Sequence, residues 1–457
     1  MMSKPEKPKS GSSPTPAIVR YLNRHAETDT DAAAWPAPRP DLRLVVVIPA
    51  LAEKESLLAV LASLASGSKR LPQVEVMVVV NHRQGASAEI VANNRETLQL
   101  LAQGSWPFPV RVIDRASKGR AFLPKRAGVG AARRLGMDLA LRRLTAGGRP
   151  ERAAIACLDA DSPVSPGYLD ALLDRFDRRD APIAGLCHYR HPLPADPERA
   201  DAIVSYELWL RYLEIGLHVC RSPYAFQTVG SCMVCSCQGY ALADGMPRRQ
   251  AAEDFYFLQK LAKLGGPGAV AAIPGAMVHP SARVSDRVPF GTGKAMGQCQ
   301  QEGVVEYCFA EPPQAFRELA DFFQRAEAAY TNFDCWRKEI SPALADFIEG
   351  RRGWPVLAKI RDNTGGARHF ARAVHEWFDS LQAFRYARGR KRDLGGVWIL
   401  AALSESMKDL EQYQDLQGLE DPGARDCDLE QKKFWLDRLR HWPGVIRKTL
   451  PAGQQRG

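Results

Sequence analysis

The chain has 457 residues, two to three times a typical domain, which allows two or three domains and a large buried core and excludes a disulfide-held miniprotein. Hydrophobic residues at 45% and charged residues at 25% give the balance of an ordinary folded protein, so a disordered chain and a membrane bundle are both excluded as defaults. The 62 Lys and Arg against 52 Asp and Glu leave a net charge of +10, which favours an anionic partner: nucleic acid, phospholipid or a phosphate-bearing small substrate.

Residues 1–40 read as a flexible N-terminal tail and linker. The first 13 positions are mostly Lys, Pro, Ser and Gly, a short amphipathic helix fits residues 18–27, and AWPAPRP at 34–40 is a stiff spacer. No charged, apolar, small-residue leader opens the chain, and no uninterrupted apolar run approaches the roughly 18 residues of a membrane span, so the expected compartment is the cytoplasm. LRLVVVIP at 42–49 is a continuous β-branched run of the kind a strand buried on both faces requires. A helical period follows at 53–64. The alternation then repeats as strand 74–80, helix 87–101, strand 110–114, helix 126–144, strand 153–158, helix 166–177 and strand 183–187. Strands alternating with helices imply crossover connections, so residues 41–310 are expected to form an α/β domain with a mostly parallel sheet and helices on both faces. From 313 to 450 the residues are helix formers interrupted by Gly and Pro, and 311–457 is expected to be a helical C-terminal domain.

Ten cysteines are thin for this length and sit mostly in apolar runs, the pattern of reduced thiols. Cys232, Cys235 and Cys237 lack a fourth ligand at zinc spacing and are read as small buried side chains.

In an open parallel sheet, ligands bind beyond the carboxyl ends of the strands. The strand at 153–158 runs into Asp159 and Asp161, which as i and i+2 project to one side. Two carboxylates there repel unless a cation or sugar hydroxyls lie between them, and hard cations such as Mg²⁺ or Mn²⁺ take oxygen ligands and keep phosphate oxygens in their shell. The plainer reading is an acidic turn capping the next helix. Glu253 and Asp254 open an amphipathic helix, where acids also suit the helix dipole. In HPSARVSDRVPFGTG at 279–293, Arg283 and Arg287 are either solvated or part of a loop that folds over a diphosphate.

Taken in order, VVVIPA-x-x-E, RAGVGAARRLGMDLA, LDADS, TVGSCMVCSCQGYALADGM, AEDFYFLQKL and PSARVSDRVPFGTG resemble the family 2 glycosyltransferases, nucleotide-sugar-dependent enzymes of the single-Rossmann-like GT-A fold. The resemblance spans residues 42–293. It implies that Pro49, Ala50 and Glu53 meet the nucleoside, that Asn81 stands at the base-recognition position, and that Arg126 to Arg134 border the sugar-nucleotide pocket. It also implies that Asp159 contacts ribose or metal, that Asp161 binds the metal, and that acceptor and donor sugar meet at Gly230 and Ser231. Asp254 corresponds to the general base of an inverting transfer, with Glu253 as its supporting neighbour, and His279 to a further metal ligand. Two departures stand out: Asn81 replaces an Asp that reads the base, and Ala52 replaces the usual Asn before Glu53.

The resemblance thus implies a donor of UDP- or GDP-linked sugar, a divalent metal, and a lipid-linked or saccharide acceptor. Two alternatives stand beside it. Asp159-Ala160-Asp161 also fits the start of the nucleophile motif of haloacid-dehalogenase phosphohydrolases, although Pro163 stands where that motif carries Thr or Val. A non-catalytic module binding an anionic polymer or a membrane surface is the other. In FRYARGRKRD at 384–393 five basic residues interleave with two aromatics; the run is either a solvated face or a peripheral contact with anionic lipid, and nucleic acid is not expected.

Overall fold

The computed structural model describes residues 14–249, 252–266, 268–285, 291–302, 305–410 and 427–441. By internal contacts the chain forms two compact units. Among the described residues, the first comprises those within 14–192 and 228–281, and the second those within 193–227, 282–285 and 291–441.

The first unit starts with α1 (Pro16–Arg24), followed by β1 (Leu44–Ala50), α2 (Lys54–Ala65), β2 (Val74–Asn81), α3 (Ala88–Gln103), β3 (Val110–Arg115), α4 (Val129–Ala146), β4 (Ala154–Cys157), α5 (Tyr168–Asp177) and β5 (Ala184–Tyr189). The second unit's α6 (Pro197–Val219) intervenes in sequence before the first unit closes with β6 (Met233–Ser236), α7 (Cys237–Leu242), α8 (Glu253–Gly265) and β7 (Val270–Val278). The strands lie in the order β3-β2-β1-β4-β6-β5-β7. β1, β2, β3 and β4 are mutually parallel, β5 and β7 are parallel, and β6 runs antiparallel to both β4 and β5. This is the mostly parallel α/β architecture expected from the strand and helix alternation.

β1 and β2 are buried along nearly their whole length, as their Val and Ile runs require of strands covered on both faces. α4 lies close on them. A Cβ at Gly136 would come within 2.4 Å of Val47 Cγ1, so glycine there sets the helix-to-sheet distance. The winding reverses between β1 and β4, neighbours in the sheet although not in sequence, and that reversal opens the crevice where ligands bind in this architecture.

Residues 14–40, read from composition as tail and linker, instead pack on the first unit. α1 buries Ile18 and Tyr21, and the Tyr21 hydroxyl donates to Asp138 Oδ1 at 2.6 Å. Tyr240 donates to the same oxygen at 2.7 Å, and the Glu27 amide donates to Oδ2 at 2.8 Å. Burial raises the Asp138 pKa, and these three donors work against that rise.

The second unit gathers α6 with α9 (Thr292–Glu302), α10 (Val305–Cys308), β8 (Phe309–Ala310), α11 (Pro313–Gln324), α12 (Ala326–Ala329), α13 (Phe333–Glu339), α14 (Pro342–Glu349), α15 (Gly353–Asp362), α16 (Ala367–Trp377), α17 (Ser380–Leu394), β9 (Val397–Trp398), α18 (Ile399–Lys408) and α19 (Leu429–His441). Its core joins Leu208, Tyr212 and Leu217 of α6 to Phe316, Phe322, Trp336, Phe370 and Leu403. α6 is a Leu- and Tyr-rich helix of 23 residues whose Glu207 carboxylate accepts from Arg440 of α19 at 2.9 Å. The helical region read from 311 onward therefore includes a helix drawn from residue 197. No described helix is long and apolar enough to cross a membrane.

Candidate active site

Three segments of the first unit bring charged side chains to the crevice end of the sheet, and a fourth packs against them. Leu158 continues β4, its amide donating to Val47 of β1 at 3.0 Å, so the next residue, Asp159, emerges beside the end of β1. α4 supplies Arg133, and α8 supplies Glu253 and Asp254 from its first turn. The short helical turn Gly230–Cys232, leading into β6, closes the group.

Arg133 organises it. Its Nη2 donates to Asp159 Oδ1 at 2.5 Å, and its Nη1 donates to Glu253 Oε1. The Arg133 side chain is 4% exposed and that of Glu253 2%, whereas Asp159 is 37% exposed and opens to the crevice. The Nε of Arg133 is buried with no hydrogen-bond partner among the described residues. Burial opposes the guanidinium charge, yet Asp159, Glu253 and Asp254 outweigh it and hold Arg133 cationic. The same cluster moves Asp254 the other way. Burial first, then repulsion from Glu253, raise its pKa to about 6 against the pull of Arg133.

Gly230 fits against both charges. A Cβ there would lie 2.5 Å from Arg133 Nη2 and 2.8 Å from Asp254 Oδ2. Ser231 is buried beside it, its Oγ 3.9 Å from Cys232 Sγ.

At the ends of β1 and β2, Pro49 is half-buried and Ala50 buried, and the buried Glu53 accepts from Ser56 Oγ at 2.6 Å. Asn81 is buried, and its Nδ2 donates to Ala50 O at 3.2 Å and Val79 O at 3.0 Å. Those donors tie the two strand ends together and leave Oδ1 as an acceptor. Arg126, the last residue of the turn before α4, is exposed.

The three residues assigned by resemblance to a metal do not form a three-ligand group. Asp159 is engaged with Arg133, and Asp161 is half-buried with Ser162 Oγ 3.5 Å from its Oδ1. His279 faces Arg190 O through Nδ1 at 3.2 Å and Ser165 Oγ through Nε2 at 2.8 Å. A carbonyl only accepts, so Nδ1 carries a proton and donates to Arg190 O. Among the described residues no group of three His, Cys, Asp or Glu side chains is placed to hold a metal ion. Two carboxylates at a strand end still fit a hard cation that completes its shell with phosphate oxygens and water, which an all-protein cage would not need to do. Arg283 belongs to the second unit, and Arg287 lies outside the described residues.

Cys232, Cys235 and Cys237 are buried free thiols, as their apolar setting predicts. Arg133 was not singled out in the sequence, although one signal for it was present. Gly130, Arg133, Met137 and Leu141 share a helical face that is otherwise apolar, and a charge on a core face demands a buried partner.

Residues 45–234 match the model of a protein family described as glycosyl transferase family 2. Among solved structures, the mannosyltransferase PcManGT from Pyrobaculum calidifontis, in complex with GDP-Man and Mn2+, is similar at 13% identity and a TM-score of 0.35, over 93% of this chain and 95% of that one. S. aureus TarS 1-349 in complex with UDP-GlcNAc is similar at 11% identity and a TM-score of 0.36, over 76% and 93%. Glucosyl-3-phosphoglycerate synthase from Mycobacterium tuberculosis, in complex with UDP, is similar at 16% identity and a TM-score of 0.34, over 65% and 87%. No curated protein matches the chain.

Proposed function

Starting from the glycosyl transferase family 2 region that the chain carries at residues 45–234, we propose that it transfers a sugar from a nucleoside diphosphate to an acceptor hydroxyl with inversion at the anomeric carbon. The observation that carries this reading is Asp254: a carboxylate at the mouth of α8, raised to about 6, beside Gly230 and at the same crevice end as Asp159.

Inverting transfer requires the acceptor oxygen to lose its proton as it attacks from the face opposite the leaving diphosphate. A carboxylate with a pKa near 6 is ionised at neutral pH and basic enough to take that proton. Glu253, tied to Arg133, orients the first turn of α8 and so positions Asp254. Pro49, Ala50 and Glu53 border the nucleoside, with the Asn81 Oδ1 as acceptor for a base N–H. Asp159 meets the ribose or the cation. The exposed Arg126 grips the diphosphate. Asp161 and Asp159 would hold a Mg²⁺ or Mn²⁺ ion, which supplies charge neutralisation on the departing phosphate oxygens. The donor is a UDP- or GDP-linked sugar, and the acceptor a saccharide or lipid-linked hydroxyl on the cytoplasmic side.

A screen of UDP- and GDP-sugars with Mn²⁺, reading nucleoside diphosphate release with and without acceptors, tests the reading. At least one donor should be turned over by the wild-type chain. Asp254→Asn should lower kcat by about 10²–10⁴-fold while nucleotide affinity stays within a few-fold. Full turnover by Asp254→Asn would remove the base assignment, and no response to any donor would remove the transferase reading.

A further inference from the structure

The basic run at 385–392 is not used by the proposed transfer, and on α17 its residues divide by helix face. Arg390 turns inward: Nη2 lies 3.1 Å from Glu318 Oε1 and Nε 3.1 Å from Oε2, and Tyr386 donates to the same carboxylate. That arginine is a structural ion pair. Lys391 Nζ donates to the Phe309 carbonyl at 2.6 Å and ties α17 to β8. Arg388 and Arg392, one helical turn apart, are exposed, and neither side chain forms an ion pair or hydrogen bond with a described residue.

Arg388, Lys391 and Arg392 line a cavity of about 680 Å³ within the second unit together with Trp209, Tyr307 and Phe309. The rings are held in place before any ligand arrives. Glu311, also at the wall, accepts from Trp209 Nε1 at 3.0 Å, so this carboxylate is engaged with the indole. Trp209 and Tyr307 meet edge to face at 5.4 Å, and Phe309 packs on Trp398 at 4.2 Å.

We propose that this cavity binds an anionic saccharide, one bearing carboxylate or phosphate groups. Aromatic rings cover the apolar C–H faces of a pyranose, and arginines with no counter-ion among the described residues supply bidentate donors for the anion. The volume is that of a discrete-ligand pocket. A bilayer surface fits it less well: it cannot enter a concavity, and of the large apolar side chains of α17 only Leu394 is exposed. This inference does not rest on the transferase reading, because binding is measured without a nucleotide.

Calorimetry on the full chain with trigalacturonate, glucose 6-phosphate and neutral maltotriose, and co-sedimentation with phosphatidylglycerol vesicles, tests it. Trigalacturonate or glucose 6-phosphate should bind saturably at one site, and which of them binds separates the carboxylate from the phosphate source. Maltotriose should bind at least tenfold more weakly. The pair Arg388→Gln and Arg392→Gln should weaken anion binding at least tenfold. Arg385→Gln, an exposed arginine of the same helix outside the cavity wall, should leave it within twofold. The proposal is overturned if neither anion binds, if maltotriose binds as well, if Arg385→Gln weakens binding as much as the pair, or if only vesicles are bound.

Discussion

Arg133 stands between two carboxylates that would otherwise repel, and it leaves the third, Asp254, incompletely compensated. The consequence is a defined pH dependence. As a base, Asp254 works only when ionised, so kcat/KM should fall as pH drops through about 6, and the profile of wild-type donor turnover checks this. The stability effect has the opposite sense. A carboxyl whose folded pKa lies above its unfolded value binds more protons when folded, so its contribution declines as pH rises from about 4 to about 6. At neutral pH the ionised Asp254 therefore costs stability, and Asp254→Asn should raise Tm at pH 7.5 while losing its advantage below pH 4. Gly230 is the steric counterpart. Gly230→Ala places a methyl against a buried, doubly paired guanidinium, and the expected loss is about 1–3 kcal/mol in urea unfolding, with impaired turnover. Two alanines that precede the site acids, Ala52 and Ala252, have φ of 53° and 59°. Left-handed backbone at a residue with a Cβ is strain of the kind that collects at functional sites. Asp159 was legible because an acid at a strand end is a local pattern, whereas Glu253 and Asp254 read locally as acids suited to a helix dipole and took a site role only from the resemblance. Arg133 was not, because its role depends on partners 26 and 120 residues away.

At the scale of elements, the long apolar runs located strands and helices to within a few residues, as with the strand read at 74–80 and found as Val74–Asn81. Local pattern did not foresee α1 as a docked helix, because its anchor is a buried network assembled from three parts of the chain. Tyr21→Phe removes one of two hydroxyls on Asp138 Oδ1 and should cost about 1–3 kcal/mol, seen as a lower Tm. Deletion of the Asp138 partners should not abolish the sheet, since Tyr21, Glu27 and Tyr240 all lie outside its strands. The antiparallel insertion of β6 between β4 and β5 was equally invisible, because direction in a sheet is set by pairing and not by composition.

Across the whole molecule, burial separates the thiols. Of ten cysteines, nine are buried and Cys335 is exposed. Burial pushes the Cys157 and Cys187 thiols up to about 12, and the Glu339 carboxylate beside Cys335 raises that thiol as well. A thiol reagent should therefore modify about one thiol rapidly in the native chain, faster as pH rises, and all ten after denaturation. Cys335→Ser should abolish the rapid phase, and several rapid thiols would contradict the described burial.

Composition and periodicity, by themselves, determined the α/β class, the order of strands and helices from β1 to β5 and the reduced state of the thiols. Each of these follows from spacing along a few consecutive residues, where the periods of strand and helix decide which side chains share a face. Tertiary structure alone decided the rest: that α6 joins the helices from residue 292 onward, that residues 14–40 are part of a folded unit, and that Arg133 governs Asp159 and Glu253. It also decided that Arg390 is spent on Glu318 while Arg388 and Arg392 face a cavity. A basic run reads as one charge patch in sequence. On a helix it becomes two faces, and only packing says which face meets a carboxylate and which is left for a ligand.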